Sequence, residues 1–169
     1  MCVCVCVYID IDCLSSSSSS CRMAIENASA KEEMKRFLVG IQERLQDINS
    51  ILAADEADKL KSLAGQVTEL EERIDSYSSA LKPLKSFILP SGGGVLSTQL
   101  HISRAICRRA ERSLCTLLSS QSAVKNAQLE EPEKYLNRLS DFLFVAARFS
   151  STGPDNEYSS KQQGSLNKE

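Results

Sequence analysis

Apolar positions in the body of the chain recur at helical spacing. Met34, Phe37, Leu38, Ile41, Leu45, Ile48 and Leu52 step by three and four, which puts them on one face of a helix. Leu60, Leu63, Val67, Leu70, Ile74, Tyr77 and Leu81 alternate the same two steps and form a single apolar stripe. Pro83 closes this second helix, because proline lacks the N–H a helix interior needs. Phe87-Ile-Leu-Pro-Ser-Gly-Gly-Gly94 reads as an apolar tetrapeptide followed by a turn-forming loop. A third helix is predicted from about Ser97 to Ser120. A fourth is predicted from Pro132, a residue tolerated in the first helical turn, to Phe149. Its apolar face is Tyr135, Leu139, Phe142, Ala146 and Phe149. No strand pattern competes in the body. Long amphipathic helices joined by short connections predict an all-α, antiparallel helical bundle.

The two ends differ from the body. From Met1 onward Val and Cys alternate, Asp10 and Asp12 follow, and serines run from Ser15 to Ser20. Such composition predicts disorder over residues 1–23. The bundle is expected over 24–150 and a polar, disordered tail over 151–169. The short apolar start has no basic residue before it, which is poor for a secretory signal. The first arginine is Arg22, after two acidic residues, which is poor for a mitochondrial transit peptide.

Composition narrows the function classes. A chain of 169 residues has the size of one domain. It holds 42% hydrophobic and 25% charged residues, as ordinary globular domains do. No apolar run approaches the roughly 20 residues that cross a bilayer. A net charge of −2 argues against general binding to nucleic acid phosphate. Five of the seven cysteines lie before residue 22, and this odd, uneven set does not read as a disulfide framework. Cys2, Cys4 and Cys6 could hold a soft metal, but they lack the second pair or histidines of a closed zinc site. An incidental cluster is the better reading, and no metal site is assigned. His101 is the sole histidine, and no Ser-His-Asp arrangement or phosphate-loop motif accompanies it.

The third and fourth helices carry residues that a plain bundle does not need. Arg104, Arg108 and Arg112 are each four apart and stack on one face. Arg109 lies about 100° round from Arg108. Glu111, three after Arg108, can pair with it. Arginines this dense repel one another unless an anion neutralises them, and their planar donors suit phosphate oxygens. On charge alone, a solvated basic face remains the commoner outcome. In the fourth helix Asn137, Asp141 and Phe144 follow i, i+4, i+7. They form a mixed polar and aromatic wall suited to a ligand with flat apolar and polar parts. The structural alternative is that Asp141 pairs with Arg138 or with an arginine of the third helix.

Taken in order, Phe87-Ile-Leu-Pro-Ser-Gly-Gly, Leu100-His101, Arg104, Cys107-Arg-Arg-Ala-Glu-Arg112, Tyr135-Leu-Asn-Arg-Leu-Ser-Asp-Phe-Leu-Phe144 and Ala147-Arg148 resemble the PduO-type ATP:corrinoid adenosyltransferases. The likeness covers roughly residues 24–150 and extends back weakly through Gln46-Asp-Ile-Asn-Ser-Ile-Leu-Ala53. The resemblance implies a five-helix bundle, a homotrimer with sites between subunits, and transfer of the 5′-deoxyadenosyl group of ATP to the cobalt of reduced cobalamin, with Mg2+ assisting and triphosphate released. It implies ATP contacts at Arg108, Arg109, Glu111, Arg112 and Asn137. It implies corrinoid contacts at Phe87 and Phe144, and an intersubunit salt bridge at Arg104. No acid or base residue is expected. Eukaryotic members are mitochondrial and supply methylmalonyl-CoA mutase, so that location and partner are expected by resemblance; the amino terminus by itself leaves a cytoplasmic location open.

The likeness weakens toward the amino terminus. Family members carry a Thr-Gly-Asp-x-Gly-type phosphate loop, and the first 22 residues here contain no glycine. The expectation is that the first helix of the bundle is largely missing and that Ala24-Ile25 lies near where it would end. A second reading follows, in which the chain is a catalytically impaired relative that binds cobalamin or oligomerises without turnover.

Overall fold

In the computed structural model, residues 3–23, 29–54, 57–90, 92–120 and 123–153 are described. They form five helices: α1 (Val3–Met23), α2 (Ser29–Ala54), α3 (Ala57–Ser79), α4 (Gly94–Ser119) and α5 (Ala123–Phe149). Side by side, the helices run α3, α5, α4, α1, α2, and α2 turns back toward α3 and α5 to close the bundle. No described helix is long and apolar enough to cross a membrane.

The first helix corrects the reading of residues 1–23. Residues 3–23 are helical rather than disordered, so the bundle is not short of a helix. Val7, Ile11, Leu14, Ser18 and Cys21 are buried and recur at steps of four and three. Serine is a weak helix former, and the serine run hides this stripe from a reading based on composition. Small side chains let α1 lie close against α4, where Ser17 finds a hydroxyl partner, while the buried Ser18 hydroxyl has none among the described residues. Ser17 Oγ and Ser103 Oγ are 2.8 Å apart, and Cys21 Sγ lies 3.4 Å from the same Ser103 oxygen. Toward α2, Gln42 Nε2 donates to the Ser15 carbonyl at 2.9 Å and to Ser19 Oγ at 2.6 Å. Arg22 donates to Gln42 Oε1 at 2.7 Å. Each of Val7, Ile11 and Leu14 is fully buried, worth about 1.5–3 kcal/mol apiece.

The other boundaries fall near the sequence pattern, with α3 ending at Ser79, short of Leu81 and Pro83, and two helix starts displaced. Helix α4 starts at Gly94 rather than Ser97. Gly92 and Gly94 have φ of 83° and 85°, a region that L side chains rarely adopt. Helix α5 starts at Ala123, so Pro132 sits inside it rather than at its head. The missing N–H at Pro132 does not end the helix, because packing of the flanking turns on α4 outweighs one lost hydrogen bond. The polar tail beyond residue 153 lies outside the described residues, as does Cys2.

The centre of the bundle is aromatic. Phe37 of α2 meets Phe142 of α5 edge to face at 4.9 Å. Tyr77 of α3 lies 6.1 Å from Phe142 and stacks on Phe149 at 4.3 Å. Where α2 and α3 part, a cleft of about 560 Å³ opens, with Glu33, Arg36, Phe37, Arg73 and Tyr135 among its walls. Arg73 in that wall is ion-paired to Glu33 and lies over the Phe37 ring.

Candidate functional site

The arginine-rich face of α4 lies away from that cleft, against α5 on one side and α1 on the other. Helices α4 and α5 run antiparallel in one register. Cys115 faces Glu133 with Sγ 3.3 Å from Oε1. Glu111 faces Asn137, and Arg104 faces Phe144. Each step back along α4 is matched by an equal step forward along α5. That register turns two separate sequence blocks into one surface.

Glu111 is its hinge. The residue is 8% exposed, so its charge needs partners. Asn137 Nδ2 donates to Oε1 at 2.9 Å, and Arg108 Nη1 donates to Oε2 at 2.5 Å. The carboxylate thus fixes one arginine and one amide at the same time. Behind it, Cys107 donates to the Leu136 carbonyl at 3.3 Å. Burial pushes the Cys107 thiol up, and the nearby Glu111 carboxylate pushes it further, so this sulfur stays a neutral packing group.

Arg109 turns to the other side. Its Nε donates to Asp10 Oδ1 of α1 at 2.5 Å, and Ser113 donates to Asp10 Oδ2 at 2.9 Å. Arg112 is exposed, and its side chain has no partner among the described residues. One turn before Arg108, the Arg104 guanidinium carbon lies 5.0 Å from the Phe144 ring centroid. His101 meets the same ring edge to face at 6.2 Å. Asp141 pairs with Arg138 at 3.1 Å, and Arg138 also reaches Glu71 of α3 at 3.1 Å. The structural alternative drawn for Asp141 is therefore the one adopted.

Arg108, Arg109, Glu111, Arg112 and Asn137 thus share one region, with Arg104 and Phe144 beside it. Phe87 stands apart from the helices, in the segment joining α3 to α4, and is 87% exposed. Sequence reasoning missed Asp10 and Ser113. Asp10 carried a signal: it lies one residue before Ile11 and four before Leu14 on a helical stripe.

The family model described as Cobalamin adenosyltransferase matches residues 2–150, and so includes α1. Corrinoid adenosyltransferase MMAB of Mus musculus is 48% identical over 118 residues, 66% of this chain and 47% of that protein. MMAB of Homo sapiens is 44% identical over 124 residues, 69% of this chain and 47% of that protein. The chain thus spans about half the length of these curated relatives. A phenylalanine-to-alanine variant of the PduO-type ATP:corrinoid adenosyltransferase from Lactobacillus reuteri, complexed with cobalamin and ATP, superposes with a TM-score of 0.79 at 30% identity, covering 93% of this chain and 86% of that one. Five helices in this order, the shared α4–α5 surface and a family match that begins at residue 2 agree: the chain belongs to the cobalamin adenosyltransferase family.

Proposed function

We propose that this chain is a corrinoid adenosyltransferase that moves the 5′-deoxyadenosyl group of ATP to the cobalt of reduced cobalamin. The observation that carries this reading is the Arg108–Glu111–Asn137 clasp with Arg109 and Arg112 on the same helix. It offers fixed cationic and amide donors to a polyphosphate and its nucleoside. The reaction is a displacement. The electron pair of cobalt(I) forms the cobalt–carbon bond at C5′, the C5′–O bond breaks, and triphosphate leaves with that bond's electrons. Cobalt(I) is a strong nucleophile, so the protein needs no general base. Its task is to stabilise charge on the leaving triphosphate and to hold C5′ in line.

Within this reading Arg108, Arg109 and Arg112 contact the phosphates, and Glu111 and Asn137 order the nucleotide side. Phe144 packs against the corrin ring, beside the cation of Arg104. Exposed Phe87 forms the lower face, excluding water and a sixth cobalt ligand. Both Glu111 oxygens are already engaged, which suits a magnesium ion carried by the triphosphate itself. A homotrimer, with Arg104 in a salt bridge between subunits, completes the reading. So do a mitochondrial location and delivery of product to methylmalonyl-CoA mutase.

The test is an anaerobic spectrophotometric assay with chemically reduced cobalamin, ATP and magnesium. Conversion to adenosylcobalamin that is lost in Arg108→Ala supports the enzyme. No conversion by a chain that is helical by circular dichroism supports the non-catalytic alternative instead.

A further inference from the structure

Asp10 belongs to none of the roles above, yet it is 6% exposed and both its oxygens are engaged on α4. A carboxylate so buried is held only where donors meet it. Here the donors are Arg109 Nε and Ser113 Oγ. The backbone that carries Asp10 is itself fixed, because neighbouring Ile11 and Leu14 are fully buried in the core. Arg109 is different. Its side chain is 51% exposed, and a long exposed arginine samples many rotamers when nothing holds it. Binding through Nε holds the guanidinium while leaving the donors of Nη1 and Nη2 for another oxyanion. Neither terminal nitrogen has a partner among the described residues.

We propose that Asp10 is a positioning residue for ATP: from α1 it fixes Arg109 so that the terminal nitrogens of the guanidinium are presented, already ordered, to the triphosphate. This rests on the reading of Arg109 as a phosphate contact. It makes a prediction whose sign is opposite to that of simple electrostatics. Removing a carboxylate beside an anion site raises the local positive potential and strengthens ATP binding. Removing an anchor leaves Arg109 to be immobilised by the ligand, which weakens binding by roughly 2- to 10-fold.

The experiment titrates ATP into the wild-type chain, Asp10→Ala, Asp10→Asn and Arg109→Ala by calorimetry, each first confirmed helical by circular dichroism. The expected result is weaker binding to Asp10→Ala by roughly 2- to 10-fold. Asp10→Asn, whose amide oxygen can still accept from Arg109 Nε, is expected to lose less. In the Arg109→Ala background, Asp10→Ala is expected to have no further effect. Tighter or unchanged binding to Asp10→Ala, with the wild type binding ATP, overturns the positioning role alone and leaves the proposed function standing. Failure of the wild type to bind ATP overturns both. If Asp10→Ala does not fold, Asp10→Asn decides: tighter binding than wild type overturns the proposal.

Discussion

The Glu111 carboxylate joins α4 to α5 through Asn137, whose Nδ2 lies 2.9 Å from Oε1. The opposite oxygen takes Arg108 Nη1 at 2.5 Å. A single buried acid therefore sets the geometry of a cation from its own helix and an amide from the next. In a plain bundle this position would hold an apolar residue, and nothing would be lost. Its cost is offset by two charge-assisted hydrogen bonds.

Glu111→Ala is expected to weaken ATP binding about tenfold or more, because it frees both Arg108 and Asn137. It is also expected to lower stability by about 1–3 kcal/mol through the lost charged hydrogen bonds. Glu111→Gln retains an acceptor for one of the two donors and should fall between wild type and Glu111→Ala. Urea denaturation and ATP titration of the three proteins check this. Equal ATP affinity in all three would remove Glu111 from the site.

Leu14 tests whether α1 belongs to the folding unit. It is fully buried, so Leu14→Ala should cost about 2–5 kcal/mol by leaving a cavity. Cys13, its exposed neighbour, should tolerate alanine within about 0.5 kcal/mol. Chemical denaturation measures both. A Leu14→Ala protein as stable as wild type would mean that the amino-terminal helix contributes nothing to the core.

The contrast between α1 and α5 explains what the sequence could disclose. The stripe of α5 from Tyr135 to Phe149 is apolar throughout and mostly large, and periodicity alone finds it. The α1 stripe interleaves Val7, Ile11 and Leu14 with Ser18 and Cys21. Serine scores as a loop former, although here its small size is what allows close packing on α4. The site shows the same division. The Arg108–Glu111 pair is local, three residues apart, and was legible from spacing. The Glu111–Asn137 bond needs the antiparallel register of two helices. The Arg109–Asp10 pair links positions 99 apart in sequence. No local rule reports such a contact.

Arg112 and Phe144 should separate the two substrates. The Arg112 side chain is exposed with no partner among the described residues, so Arg112→Ala should leave stability within about 0.5 kcal/mol of wild type. Its effect should fall on ATP, with KM for the nucleotide raised several-fold. Phe144 touches Arg104 and His101 rather than the Glu111 clasp. Phe144→Ala should raise KM for cobalamin and leave ATP binding near wild type. Steady-state kinetics with each substrate varied in turn makes the comparison. A loss of ATP affinity in Phe144→Ala as large as in Arg112→Ala would contradict the division.

Alkaline pH should destabilise the protein in two resolvable steps. Burial pushes the Cys107 thiol above its ordinary 9.0, and the Tyr135 hydroxyl above its ordinary 10.0. Burial also raises the Cys21 thiol, and its hydrogen bond with Ser103 partly opposes the shift. In the unfolded chain these groups release protons near their ordinary values, while in the folded chain they keep them. The unfolded state then binds fewer protons, so stability falls as pH rises. The contribution of each thiol is fully present below pH 9.0, and that of Tyr135 below pH 10.0. Above those values each group steepens the decline by up to about 1.4 kcal/mol per pH unit. Cys107→Ala should therefore flatten the fall beginning near pH 9, and Tyr135→Phe only the fall above pH 10. Packing losses in either variant shift the whole curve by a constant and leave its slope alone. Denaturation midpoints measured between pH 8 and 11 give the slopes, and curves for both variants parallel to wild type throughout would show that neither group is held protonated by the fold.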